Sequence, residues 1–141
     1  MSETVYEVPE LVTVSKDGAS RSILVRWGAD IYRENGASRA ALEAALDCVR
    51  HHGLTNWVMD VSAVTSEMAM PAAQYFAGEF VDVLGSVGLD TLVLVAAPSQ
   101  DGEASELEMW LEETHDRLAG RVEVFLATTL EQARKLIAAR G

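Results

Sequence analysis

Asn56-Trp57-Val58-Met59-Asp60-Val61-Ser62 and Thr91-Leu92-Val93-Leu94-Val95-Ala96 are short, nearly unbroken apolar runs, each followed by residues at helical spacing. A strand with one wet face alternates polar and apolar residues, whereas a parallel strand covered by helices on both faces does not. The second run has no polar alternation, so it is expected at the centre of the sheet and closes at Pro98. Val122 to Leu126 repeats the pattern, giving three strand-helix units joined by right-handed crossovers.

Outward from these runs, Val8 to Val14 and Ser22 to Trp27 are apolar, β-branched stretches separated by Lys16-Asp17-Gly18, and the Asp-Gly pair signals a turn. An N-terminal hairpin follows. Pro9 has no N–H to donate, which starts the first strand after it or places that strand on an edge. A first helix is expected from Ser38 to His52, with Leu42, Ala45, Leu46 and Val49 inward and Gly53 as its stop. Pro71 suits the first turn of a second helix, with Ala72, Phe76, Phe80, Val83 and Leu84 inward and Gly85 and Gly88 ending it. A third helix turns Ala104, Leu107, Leu111, Thr114 and Leu118 inward and its acids outward. Thr128 with Glu131 resembles a capping box before a final helix carrying Leu130, Ala133, Leu136 and Ile137. The fold class is α/β, one domain over residues 1–141 with a mostly parallel central sheet and helices packed against it.

At 141 residues the chain buries enough surface to fold without a disulfide or a metal. Cys48 is the only cysteine, so no intrachain bridge forms, and a reducing, cytoplasmic setting is expected. Eleven Lys and Arg stand against 22 Asp and Glu, a formal charge of -11. Such a field repels phosphate backbones and anionic bilayers, and no run reaches membrane-spanning length. Nucleic acid and membrane insertion are therefore not expected, and neither is a secretory leader in the acidic stretch Met1 to Glu7.

The element order, together with Trp57-Val58-Met59-Asp60-Val61-Ser62-Ala63-Val64, Gly88-Leu89, Phe125 and Thr128-Thr129-Leu130-Glu131-Gln132-Ala133, resembles the SpoIIAA-like or STAS domains. It is closest to the SEC14-like bacterial proteins of unknown function that share their fold. In the phosphorylated anti-sigma-factor antagonists of that family an Asp-Ser-Ser-Gly segment opens a helix and carries the phosphoacceptor. The corresponding stretch here reads Thr65-Ser66-Glu67-Met68-Ala69-Met70-Pro71 and lacks it. The resemblance implies a fold and a non-enzymatic, regulatory or protein-binding role, with no agreed activity.

Asp60, Ser62, Thr65 and Ser66 sit where the strand gives way to the first crossover, the end at which α/β folds place ligands and partners. They are candidate partner- or ligand-binding groups; capping the next helix and satisfying turn amides is the competing role. Met68 and Met70, unbranched and adaptable, extend the same edge as a contact surface or staple the following helix. Trp57, Tyr75, Phe76 and Phe80 are candidates to line a hydrophobic pocket under the second and third helices, for which core packing is the alternative. Glu112 and His115 have a carboxylate-metal spacing, but the single motif lacks its partner motifs, and no metal or cofactor is expected. His51 and His52 are adjacent on a helix, diverge by about 100° and suit its C-terminal dipole rather than one metal. No nucleophile can be paired with a base, and the phosphate-loop and nucleophile-elbow patterns are missing. The leading expectation is a non-enzymatic domain binding a protein partner, with a homodimer open to it; the alternative is a carrier of a small hydrophobic ligand or lipid.

Overall fold

A computed structural model describes residues 2–9, 11–28, 37–61, 78–95, 112–116, 118 and 122–140. Its sheet has six strands, β1 (Ser2–Val8), β2 (Val12–Asp17), β3 (Ser22–Trp27), β4 (Asn56–Asp60), β5 (Thr91–Val95) and β6 (Glu123–Ala127). They lie side by side in chain order. Pairs β1–β2 and β2–β3 are antiparallel, and β3–β4, β4–β5 and β5–β6 are parallel. Helices α1 (Ala37–His52), α2 (Glu79–Leu84) and α3 (Leu130–Arg140) are defined, and residues 112–116 are also helical. The expected α/β class, with a mostly parallel centre and an antiparallel N-terminal unit, is what the chain adopts. Among the described residues no helix is long and apolar enough to cross a membrane.

The N-terminal unit has one strand more than the expected hairpin. The apolar run Val8 to Val14 is cut at Pro9, where Leu11 N–H donates to the Val8 carbonyl at 3.0 Å and closes a tight turn. β1 therefore ends where proline would remove a ladder bond, and it occupies the edge. Its register slips between Thr4 and Tyr6, leaving Val5 in a bulge, a common guard against edge-to-edge pairing.

The β2–β3 tip also differs in detail from a two-residue Asp-Gly turn. Residues 18–21 form the loop, the Asp17 carboxylate accepts the Ala19 N–H at 3.0 Å, and the left-handed residue is Arg21 at φ 53°. Arg21 is held there from three sides. Its carbonyl accepts Thr55 N–H and Asn56 N–H at 2.9 and 3.1 Å, and its guanidinium donates to the Gly53 carbonyl at 3.0 Å. Those bonds clamp the hairpin tip to the α1–β4 connection, at the junction where antiparallel pairing becomes parallel.

α1 buries Ala41, Leu42, Ala45, Leu46, Cys48 and Val49, the stripe its spacing predicts, and ends at Gly53. With φ 63° at Gly53 and a Leu54 N–H bond to the Val49 carbonyl at 3.2 Å, the stop is a Schellman turn. The cap of α3 lies one residue later than the expected box. Thr129 Oγ1 accepts the Gln132 N–H at 3.1 Å, and the Gln132 side chain accepts the Thr128 N–H at 2.8 Å. Glu131 instead pairs along the helix with Lys135 at 3.7 Å.

The two sheet faces are unequal. α1 packs on β1, β2 and β3. The same side holds Phe80, Val81 and Leu84 of α2, Leu118, and the strand residues Ile23, Trp57, Met59, Leu92 and Leu94, in one continuous core. The expected inward positions Thr114 and Leu118 are buried; the earlier part of that helix, and of the helix opened by Pro71, lies outside the described residues. α3 packs on the opposite side, on β4, β5 and β6, over Val58, Val93, Val95 and Ala127. Strands that advance one step at a time in one direction, with crossovers of one hand, place every crossover on the same face. Among the described residues the other face is covered by the last helix, α3.

Trp57 is fully buried edge-on against Phe80, ring centroids 5.4 Å apart, and its indole N–H, like that of Trp27, has no hydrogen-bond partner among the described residues. A buried orphan donor costs about 1–3 kcal/mol, against the large area the ring removes from water. Trp57→Phe is accordingly expected to stay within about 1 kcal/mol of the parent in urea unfolding, and Trp57→Ala to lose about 3–5 kcal/mol. At Gly53 an added Cβ meets nothing nearer than the Arg21 guanidinium at 3.9 Å. The cost of Gly53→Ala is then one of backbone conformation alone, about 1 kcal/mol in the same assay.

Candidate functional site

The carboxyl ends of the parallel strands place Asp60 on the face that α3 partly covers, in register with Arg26 of β3 and Val95 of β5. The Asp60 side chain is 8 % exposed and that of Arg26 60 %, with Arg26 Nε 3.6 Å from Asp60 Oδ2. A carboxylate this buried needs a charged or hydrogen-bonded companion, and Arg26 supplies a cation on a side chain that is itself largely exposed.

Arg26 belongs to a wider polar surface. The positions that share its face are Thr4 and Glu7 on β1, Thr13, Ser15 and Asp17 on β2, and Ser22 and Leu24 on β3. Thr13 Oγ1 donates to Glu7 at 3.3 Å across the strands. A helix is about 10–12 Å wide and strands are about 4.8 Å apart, so α3 spans two or three strands and leaves β1–β3 without a helix on this side among the described residues.

A cleft of about 240 Å³ lies where the covered and uncovered halves meet. Its apolar lining comes from Leu24, Val58, Leu130 and Ile137, and its polar lining includes Ser15, Asp17, Ser22 and Arg134. Ser20 Oγ donates to Ser22 Oγ at 2.9 Å, Ser22 Oγ to the Ser20 carbonyl at 3.2 Å, and the Asn56 amide also donates to that carbonyl at 2.8 Å. The hairpin end of the cleft is thereby fixed by the same clamp that joins the tip to β4.

On the α1 side, Lys16 Nζ lies 3.6 Å from the Glu3 carboxylate and 3.2 Å from His52 Nε2, tying β1, β2 and the helix end together. His51 stacks edge-on with His52 at 4.9 Å. Cys48 is buried nearby. Burial pushes its thiol pKa up, the Lys16 ammonium opposes that, and Glu3 adds to it. Among the described residues no three His, Cys, Asp or Glu side chains cluster as a metal site, and Glu112 and His115 are exposed.

Of the residues singled out in the sequence, Asp60 stands at the expected strand end. Ser62, Thr65, Ser66, Met68 and Met70 lie outside the described residues, as do Tyr75 and Phe76. Trp57 and Phe80 meet each other in the core of the opposite face, away from the cleft. Arg26, Ser15, Ser22 and Arg134 were not singled out. The signal for the first three is the alternation Val12-Thr13-Val14-Ser15 and Ser22-Ile23-Leu24-Val25-Arg26, which marks strands with one wet face. Arg134 carries no such signal, because its meeting with β2 and β3 is made only by docking of α3.

Comparison of the chain with protein-family models, with curated proteins and with solved structures returns no match.

A thiol whose folded pKa is raised is held in its neutral form. The stability this contributes is complete below the unfolded thiol pKa, about 8.5, and is lost as pH rises through the higher folded value. Urea midpoints are thus expected to decline above about pH 9, and Cys48→Ala to flatten that decline.

Proposed function

We propose that this chain is a non-catalytic interaction domain of the SpoIIAA-like kind, engaging a protein partner through the polar half of its second sheet face and the adjoining Asp60 edge. The observation that carries this reading is the surface of β1–β3 on which no helix packs among the described residues, and from which Arg26, ion-paired with Asp60, projects into solvent. Exposed polar alternation on three strands gives a flat, hydrogen-bonding platform, and a buried acid that orients an exposed arginine fits recognition of a partner's carboxylates. Ser62, Thr65, Ser66, Met68 and Met70, the other candidate contacts, lie two to ten positions after Asp60 in the sequence and outside the described residues. The resemblance in element order to SpoIIAA-like domains supports the reading. One buried free cysteine agrees with a reducing, cytoplasmic setting. The cleft beside α3 favours a second reading, carriage of a small molecule.

A photo-crosslinking amino acid placed at Thr13 or Arg26, both on the platform, is expected to give a discrete adduct in the native host. The same group at Glu131, exposed on α3, is expected to give none. An adduct with a second copy of the chain would identify the partner as a homodimer. Adducts of equal yield at all three positions, or at Glu131 alone, would refute the platform.

A further inference from the structure

We infer that the cleft between α3 and the β2–β3 hairpin is a binding site for a small amphipathic carboxylate, an acid with an apolar body of no more than about ten carbons. This rests on the carriage reading and not on the partner-binding one, and either can fail alone.

The floor decides the body of the ligand. Leu24, Val58, Leu130 and Ile137 are apolar, and Val58 and Ile137 are also part of the core beneath α3. About 240 Å³ is below the range of drug-sized pockets, roughly 300–1,000 Å³, which limits the occupant to a small metabolite.

The polar lining decides the headgroup. In a chain with twice as many acids as bases, cations are expected to be paired, and those described mostly are. Lys16 meets Glu3, Arg26 meets Asp60, Arg39 meets Glu43 and Lys135 meets Glu131. Arg134, on the cleft, makes no ion pair or hydrogen bond among the described residues. The Ser15 hydroxyl is likewise without a partner there, whereas Ser20 and Ser22 bond each other and the backbone. Asp17, the acid of the lining, directs Oδ1 to the Ala19 N–H of its own turn. Lys16 contributes to the wall while its ammonium faces Glu3 and His52 on the other side of the sheet. A guanidinium and a hydroxyl over an apolar floor match one carboxylate, which arginine grips in a two-pronged fork. Among the described residues a doubly charged phosphate would meet one unpaired cation, Arg134, in a protein of charge -11.

The test is an NMR titration of the isotope-labelled full chain with hexanoate and, separately, with 1-hexanol. Hexanoate is expected to bind saturably, shifting the amides of Ser15, Leu24 and Arg134, at least about tenfold more tightly than hexanol, the margin of one charge-assisted hydrogen bond. Arg134→Gln should bring hexanoate down to the hexanol affinity and leave hexanol unchanged. Ala138→Trp, at an exposed position on the cleft, should abolish both. Absence of saturable binding, equal affinity for acid and alcohol, or hexanoate binding indifferent to either substitution would overturn the assignment. Platform adducts at Thr13 and Arg26 that persist in Ala138→Trp would leave the partner reading standing by itself.

Discussion

The hand of the parallel crossover governs this architecture. β3, β4, β5 and β6 follow one another across the sheet in chain order. Each connection of like hand is therefore laid on the same side, and α1, α2 and the segment reaching Leu118 join a single core there. Among the described residues the second face carries one helix, of 11 residues, about 16 Å long and about as wide as two or three strands. A polar platform over β1–β3, an apolar strip under α3 and a cleft at their border all follow from that imbalance.

The imbalance is matched residue by residue. Under α3 the second face carries Val58, Val93, Val95 and Ala127; beyond it the positions in register are Thr13, Ser15, Ser22 and Arg26. Burial of apolar area on the first set contributes roughly 25 cal/mol per Å², while in the second Arg26 stays exposed and the buried Ser22 bonds to Ser20. Leu24 is the exception, an apolar residue among polar neighbours in β3. It forms part of the cleft floor and packs against the core beneath α3.

The mixed sheet changes direction at β3, and that change depends on the hairpin tip. Arg21 adopts a left-handed backbone at a cost of about 1 kcal/mol, and in return its carbonyl receives two amides of the α1–β4 connection. Asn56 and Ser22 add bonds to the neighbouring Ser20 carbonyl. These contacts set the start of β4 beside the start of β3, and so the register that brings Asp60 next to Arg26.

Continuous apolar runs determined the parallel strands by themselves, since only strands covered on both faces read as Thr-Leu-Val-Leu-Val; α1 and its stop at Gly53 were equally plain, because amphipathic spacing and a left-handed glycine are local properties. The strand β1 was hidden by its own alternation of Glu3, Val5 and Glu7 and by Pro9, which splits a run that reads as one. Asp60 was legible as a site residue because strand ends are local, but Arg26 became its partner only through the register between strands 34 positions apart in the chain. The cleft was beyond the sequence altogether. It is made where α3 docks beside a hairpin more than a hundred residues earlier, and which face that helix covers is decided by the hand and order of the crossovers, a property of the assembled sheet that no local stretch contains.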